Sequence, residues 1–101
     1  MTYQCNDISS AIQQLRERFP FHNYLAEDDG KHGPYSNIAA TVKKHLPAGS
    51  RILDFGAGPC DKTAVLQLLG YQCSACDDLQ DDWHKLPGNR EKIKAFASGL
   101  I

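Results

Sequence analysis

A short apolar segment that runs directly into two closely spaced glycines limits the folds open to this chain more than any other feature. Residues 51–55 predict a β-strand, and the Gly-Ala-Gly triplet at 56–58 predicts a sharp turn after it. A helix is predicted over 61–69 and a second strand over 71–76. Strand, turn, helix and strand in this order form a βαβ unit, whose strands are parallel. The sequence therefore predicts an α/β fold.

The residues before this unit predict two helices joined by a loop. Apolar residues spaced by four, three and four predict a helix over 6–19, which Pro20 ends. Glycines, prolines and acidic residues predict a loop over 20–34, and Ser36 is expected to cap a second helix over 37–46. The side chains expected to face inward are Ile8, Ile12, Leu15, Phe19, Ile38, Val42 and Leu46.

The residues after the βαβ unit predict a loop and one more helix. The loop covers 77–88, and Asn89 is expected to cap a helix that continues to Phe96. Ile93 and Phe96 are expected to face inward.

The glycine turn and the end of the second strand carry the residues that predict a ligand site. Gly56 and Gly58 lack a β-carbon, so a ligand can approach the backbone closely there. Ligands of parallel sheets bind at the carboxyl ends of the strands. Asp77 follows Gly58 by nineteen residues, a spacing that suits a carboxylate accepting hydrogen bonds from ribose hydroxyls. These residues predict a site for a nucleoside or nucleotide.

The two segments resemble the first two motifs of the class I S-adenosylmethionine-dependent methyltransferases. Residues 52–58, Ile-Leu-Asp-Phe-Gly-Ala-Gly, are similar to the first motif, and residues 76–78, Cys-Asp-Asp, are similar to the second. The resemblance covers about residues 35–97. It implies a Rossmann-like fold, with 35–101 as the N-terminal half of a cofactor-binding domain and 1–34 as a helical segment and loop before it.

The resemblance also implies a role for each motif residue. The backbone of Gly56, Ala57 and Gly58 would lie against the methionine and ribose of S-adenosylmethionine. Asp54 would orient the loop or meet the cofactor's amino group. Asp77 would hold the ribose hydroxyls, and Asp78 with Leu79 would lie near the adenine. It assigns no catalytic residue and no methyl acceptor.

Many members of the family have a third glycine where Cys60 stands, so the turn is expected to differ there.

Two other functions stay open at this point. A non-catalytic NAD-type nucleotide-binding module would need a glycine where Asp61 stands, and that carboxylate would repel a pyrophosphate. A small metal or thiol protein would use Cys73 and Cys76, but side chains three apart on a strand face opposite ways. No metal site is therefore predicted.

Composition argues against several classes of partner. The formal net charge of the 101 residues is -1 at pH 7, which predicts no basic surface for nucleic acid or an anionic membrane. No apolar run approaches the roughly 20 residues that span a bilayer, and residues 1–10 lack the apolar segment of a secretory signal. We therefore expect a cytoplasmic protein whose four cysteines are reduced thiols.

Two predicted strands are few for the fold that the motifs imply. The class I methyltransferase sheet has seven strands, so the resemblance implies a truncated or fragmentary chain. Parallel sheets are normally covered on both faces, and uncovered strand edges invite pairing. We expect a homo-oligomer that pairs through these edges, and weak or no catalysis by the chain alone.

Overall fold

The computed structural model describes residue 5 and residues 7–99 as a small mixed α/β domain. Residue 6, the predicted start of the first helix, and residues 100 and 101 lie outside the described residues. The elements in chain order are α1 (Ile8–Arg18), a 3-10 turn (His22–Tyr24), α2 (Pro34–His45), β1 (Arg51–Phe55), α3 (Asp61–Leu68), β2 (Gln72–Cys76) and α4 (Asn89–Ser98).

The two strands confirm the predicted βαβ unit. β1 and β2 pair in parallel, with Arg51 opposite Gln72 and Phe55 opposite Cys76. Both strands therefore end at the same edge of the sheet. The glycine turn and Asp77 follow those ends directly, so the chain brings the two predicted motifs together without any long-range rearrangement.

Helix α3 is the centre of the core. Most of its residues are buried, because α1 and α2 pack against it and it lies on β2. The core beside it combines the apolar stripe of α1 with Tyr35 of α2 and with Cys60, which precedes α3. The buried members of this cluster are Ala11, Ile12, Leu15, Phe19, Tyr35, Cys60, Ala64, Val65 and Leu68.

The start of α2 differs from the prediction. Ser36 does not cap the helix, which begins at Pro34 after Gly33. Proline suits the first helical position because its fixed φ is helical and it has no N–H to leave unpaired. The carboxylate of Asp28 accepts hydrogen bonds from the Ser36 amide, at 2.7 Å, and from the Ser36 hydroxyl. The capping oxygen therefore comes from eight residues upstream.

The predicted inward face of α2 is confirmed only in part, because Ile38 and Val42 are half-buried. Tyr35, Ser36 and Ala39 are buried, whereas Leu46 is 39% exposed. The Ser36 contacts with Asp28 and the insertion of the Tyr35 ring into the core set the rotation of the helix, and neither can be read from apolar spacing.

The prediction that Asn89 caps α4 was wrong. Gly88 precedes the helix with φ of +82°, a left-handed conformation that suits glycine. Asn89 is the first helical residue, and its Nδ2 donates to the Trp83 carbonyl at 2.7 Å. The asparagine therefore ties α4 to the preceding loop instead of capping the helix.

The sheet is covered on one face only. Side chains alternate along a strand, and α3 packs on the face that carries Ile52 and Asp54. On the other face Leu53 is 63% exposed and Phe55 is 85% exposed.

Within the described part of the chain, no helix is both long and apolar enough to cross a membrane.

Candidate functional site

The two predicted motifs are joined by direct hydrogen bonds. The Gly58 amide donates to Asp77 Oδ2 at 2.7 Å. The amides of Gly56 and Ala57 both donate to the carbonyl of Cys76, at 2.8 and 3.1 Å. The glycine turn is therefore fastened to the end of β2 along its whole length, although it follows β1 in the chain.

Asp77 is an ionised carboxylate held in place by backbone amides. The Leu79 amide donates to Oδ1 at 2.7 Å, and the Gly58 amide donates to Oδ2. The Leu79 amide makes the largest contribution to a lowered pKa of Asp77; the Gly58 amide and His84 add to it, while desolvation opposes it. A carboxylate has about four acceptor positions, so each oxygen keeps capacity for a further donor.

Asp54 fastens the start of α3 to β1. The Thr63 hydroxyl donates to Asp54 Oδ2 at 2.6 Å. Asp61, the first residue of α3, is buried and accepts a hydrogen bond from the Tyr35 hydroxyl at 2.7 Å. Burial is the main cause of a raised pKa of Tyr35, and the bond to Asp61 adds to it, so the phenol stays protonated as the donor.

All six residues that the sequence predicts for cofactor binding line one polar cleft. Its volume is about 420 Å³, within the range of small-molecule sites. The predicted residues are Asp54, Gly56, Ala57, Gly58, Asp77 and Asp78, and the other lining residues are Tyr24, Asp61, Lys62, Asp81, Trp83 and His84.

A second, mainly apolar cavity lies beside the polar cleft. Its volume is about 310 Å³, and it shares Ala57, Gly58 and Asp77 with the cleft. Leu79 lines this cavity, whereas Asp78 lines the polar cleft. The Gly58–Asp77 hydrogen bond therefore lies where a polar and an apolar compartment meet.

Two residues of the apolar cavity have unusual backbone conformations. Cys60 and Leu79, with φ of +69° and +54°, are the non-glycine residues with positive φ in the described chain. Such conformations are uncommon for residues with a β-carbon, and they concentrate at functional sites. The Arg90 guanidinium donates two hydrogen bonds to the Leu79 carbonyl, at 3.1 and 2.9 Å, and so holds this part of the loop.

Sequence reasoning did not predict six residues of the polar cleft, among them Tyr24, Trp83 and His84. Sequence spacing treats the four histidines alike, yet His84 is only 8% exposed. Its Nδ1 is buried without a hydrogen-bond partner and lies 3.9 Å from Asp77 Oδ1. The adjoining loop carried no motif, so no sequence signal identified these residues.

The cysteines do not form a metal or disulfide site in the described residues. All four are free thiols, and Cys73 is half-buried while Cys76 is exposed. Burial, with a smaller contribution from Asp54, raises the pKa of Cys73 to about 11, so this thiol is protonated at neutral pH. Within residues 5 and 7–99, no group of three or more His, Cys, Asp or Glu side chains is placed to hold a metal ion.

The chain was compared with protein-family models, with curated proteins and with solved structures, and none of the three comparisons found a match.

Proposed function

We propose that the chain is the cofactor-binding part of a Rossmann-like S-adenosylmethionine-dependent methyltransferase. One observation carries the proposal. Six residues chosen from two motifs about twenty positions apart line a single cleft, and a 2.7 Å hydrogen bond from Gly58 to Asp77 joins the motifs. The resemblance of those motifs to the family's cofactor motifs gives the cleft its proposed ligand.

The polar cleft suits the ribose and methionine portion of the cofactor. Asp77 is ionised, oriented by two amides and still able to accept one hydroxyl on each oxygen. A β-carbon added at Gly56 would meet no atom within 4 Å, so space is open beside this backbone. Those two features together would let a ribose lie in the cleft beside the turn, with its hydroxyls on the remaining acceptor positions of the carboxylate.

The apolar cavity suits the adenine ring. It adjoins Asp77, so an adenosine whose ribose is held by that carboxylate can direct its base into the cavity. Leu79 and Ala57 supply apolar contacts, and the Arg90 hydrogen bonds fix the Leu79 segment. Asp78 would stay on the polar side.

The bound cofactor would supply an activated methyl group on a sulfonium. The residues of this chain would bind and orient it: the turn through its backbone, Asp77 through the ribose, and Asp54 by holding the start of α3. No catalytic base is assigned to any of these residues.

The NAD-type alternative fits the cleft less well. Five aspartates line it, including the buried Asp61 at the first turn of α3. A pyrophosphate docking there would meet carboxylates where NAD-binding sites offer free helix amides. The thiol alternative is weakened by the raised pKa of Cys73, because a protonated thiol is a poor nucleophile and metal ligand.

Location and assembly are part of the same proposal. Four free thiols are typical of a reducing compartment, so we propose a cytoplasmic protein. The exposed Leu53 and Phe55 favour association with a second copy, because an open apolar sheet face invites pairing.

Calorimetric titration tests the proposed function. We expect S-adenosylhomocysteine to bind with a saturable isotherm, and NAD and zinc to give none. Asp77→Ala should weaken S-adenosylhomocysteine binding by at least about 100-fold, because a bidentate charged acceptor of two hydroxyls is lost.

The matched control is Asp82→Ala, which removes a nearby carboxylate that does not line the cleft. It should bind S-adenosylhomocysteine as the parent chain does. Tight NAD binding, or equal S-adenosylhomocysteine affinities of the two variants, would contradict the proposal.

A further inference from the structure

Part of the polar cleft is formed by aromatic residues that the proposed cofactor contacts do not use. Tyr24 and Trp83 line the cleft, and their ring centroids lie 4.8 Å apart with the planes tilted by 33°. Tyr24 is 43% exposed, although large aromatic residues are usually well buried. We call these two residues the aromatic wall.

The charge of the cleft is strongly negative. Five carboxylates line it against one lysine, Lys62, and the histidine His84. The hydrogen bonds that Asp54 and Asp61 accept come from neutral hydroxyl groups, so these contacts leave their charges uncompensated. Burial raises the pKa of Tyr24, and Asp61, Asp81 and Asp77 add to the increase, so their field reaches the aromatic wall.

The wall of the cleft next to Trp83 contains an unsatisfied polar atom. The side chain of His84 is nine-tenths buried in the cleft wall, and its Nδ1 has no hydrogen-bond partner. The nearest carboxylate oxygen, Asp77 Oδ1, is 3.9 Å away, which is beyond hydrogen-bond distance. A buried polar atom without a partner is unfavourable and rare in native proteins, so the described chain leaves this corner of the cleft wall, beside Trp83, incompletely satisfied.

An ammonium group of the chain itself lies near Phe21, which packs against the aromatic wall. Lys92 Nζ lies 6.0 Å from the ring centroid of Phe21. Phe21 in turn packs edge-on against Trp83 at 4.9 Å. Cations are drawn to the faces of aromatic rings, and quaternary ammonium ligands are recognised in this way.

We propose that the aromatic wall and Asp81 form a subsite for an organic cation, a small molecule that carries an ammonium group. The rings contact the alkyl surface of the cation, and the carboxylates stabilise its charge. The further assignment, that this cation is the methyl acceptor, rests on the proposed function. A neutral molecule of the same shape lacks the attraction between a cation and the carboxylates, and an anion is repelled by them.

Fluorescence of the chain's one tryptophan measures binding at this position directly, because Trp83 belongs to the aromatic wall. Choline is the cationic probe, 3,3-dimethylbutan-1-ol is its neutral isostere and 3,3-dimethylbutanoate is an anion of similar shape. We expect choline to change the emission with saturation, the alcohol to bind about tenfold more weakly, and the anion to produce no saturable change. The choline response should persist when S-adenosylhomocysteine saturates the protein.

Two variants locate the site. Tyr24→Leu and Asp81→Asn should each weaken choline binding by about 2-fold to 30-fold. Asp81→Asn keeps an oxygen to accept the hydrogen bond from the Trp83 amide, so the loop is retained. Asp82→Asn is the matched control, since it removes the same charge from the next residue, which does not line the cleft. It should leave choline affinity within about twofold, as expected for a solvent-screened charge.

The outcomes separate this inference from the proposed function. Equal binding of choline and the neutral alcohol, or equal losses in Asp81→Asn and Asp82→Asn, overturns the cation subsite. Choline binding without S-adenosylhomocysteine binding supports the subsite and removes its assignment as the acceptor site. S-adenosylhomocysteine binding without choline binding overturns the inference and leaves the proposed function standing.

Discussion

Two loops of this protein use the same components and differ in what they leave open. Each combines a glycine of positive φ with an aspartate that accepts backbone amides. In the first loop Asp28 accepts from the amides of Gly30 and Ser36, and Gly33 precedes α2. In the second loop Asp77 accepts from Gly58 and Leu79. The first loop anchors a helix, whereas the second lines the candidate site.

Space around the glycines distinguishes the two loops. A β-carbon at Gly33 would lie 2.6 Å from the Asp28 carboxylate and 2.7 Å from the Glu27 carbonyl. A β-carbon at Gly58 would lie 3.6 Å from His84, and one at Gly56 would contact nothing within 4 Å. The first loop is therefore filled by its own atoms, whereas the second keeps space beside its backbone.

Alanine substitutions at the glycines should give the largest difference in unfolding free energy between the two loops. Gly33→Ala should lower the free energy of unfolding by about 4 kcal/mol, because it combines a backbone clash with positive φ. Gly56→Ala should lower it by about 1 kcal/mol, from the φ strain alone. Urea denaturation of both variants measures these values. Equal losses would show that the second loop is as closely packed as the first.

Removing the two aspartates should separate stability from binding. Asp28→Ala should lower the unfolding free energy by about 3 kcal/mol, because it leaves the Ser36 amide and hydroxyl unpaired in a buried position. Asp77→Ala should lower it by about 1 kcal/mol, because the amides it leaves unpaired are closer to solvent. Asp77→Ala should instead lose S-adenosylhomocysteine binding, which Asp28→Ala should retain at temperatures where it is folded. Comparable losses of unfolding free energy in the two variants would show that the two loops do not differ in their contribution to stability.

Acid should weaken both loops in the same direction. Hydrogen bonds from the Ser36 and Gly30 groups lower the pKa of Asp28 despite its desolvation, and amides lower that of Asp77. Aspartate in the unfolded chain titrates near 3.9, so below about pH 5 the unfolded state binds more protons. The contribution to stability is complete at neutral pH and is lost as pH falls through the folded pKa values.

Denaturation midpoints measured from pH 7 to pH 3 test this titration. Asp28→Asn should show a shallower decline than the parent chain, and the exposed Asp82→Asn should follow the parent. A parent midpoint that rises on acidification would contradict the assignment of both carboxylates.

The smallest effect on stability is expected at Phe55, which immediately precedes the open loop. Phe55→Ser should change the unfolding free energy by less than about 0.5 kcal/mol, because the ring is 85% exposed. It should lower the average mass in light scattering at high protein concentration, since it removes apolar surface from the open sheet face. If Phe55→Ser leaves self-association unchanged, a second copy does not contact this face.

Most of the secondary structure could be predicted from the sequence, because local spacing controls it. The bounds of β1 were predicted to the residue, and β2 and α3 to within one residue. The starts of α2 and α4 could not be assigned correctly, since Asp28 bonds the Ser36 amide of α2 and the Asn89 side chain bonds the Trp83 carbonyl instead of capping α4. Those contacts join segments that are separated in sequence, and no short sequence pattern predicts them.

The residues of the candidate site also fall into two groups, those that the sequence predicts and those that only the fold brings together. The sequence by itself determined the glycine turn and Asp77, because consecutive parallel strands end at one edge and bring their following residues together. Only the tertiary structure decided that Tyr24, from the segment before α2, meets Trp83 and the buried His84 in the same cleft. The physical reason is chain separation: about sixty residues lie between Tyr24 and Trp83, and packing of α1 and α4 through Phe19 and Phe96 brings them together.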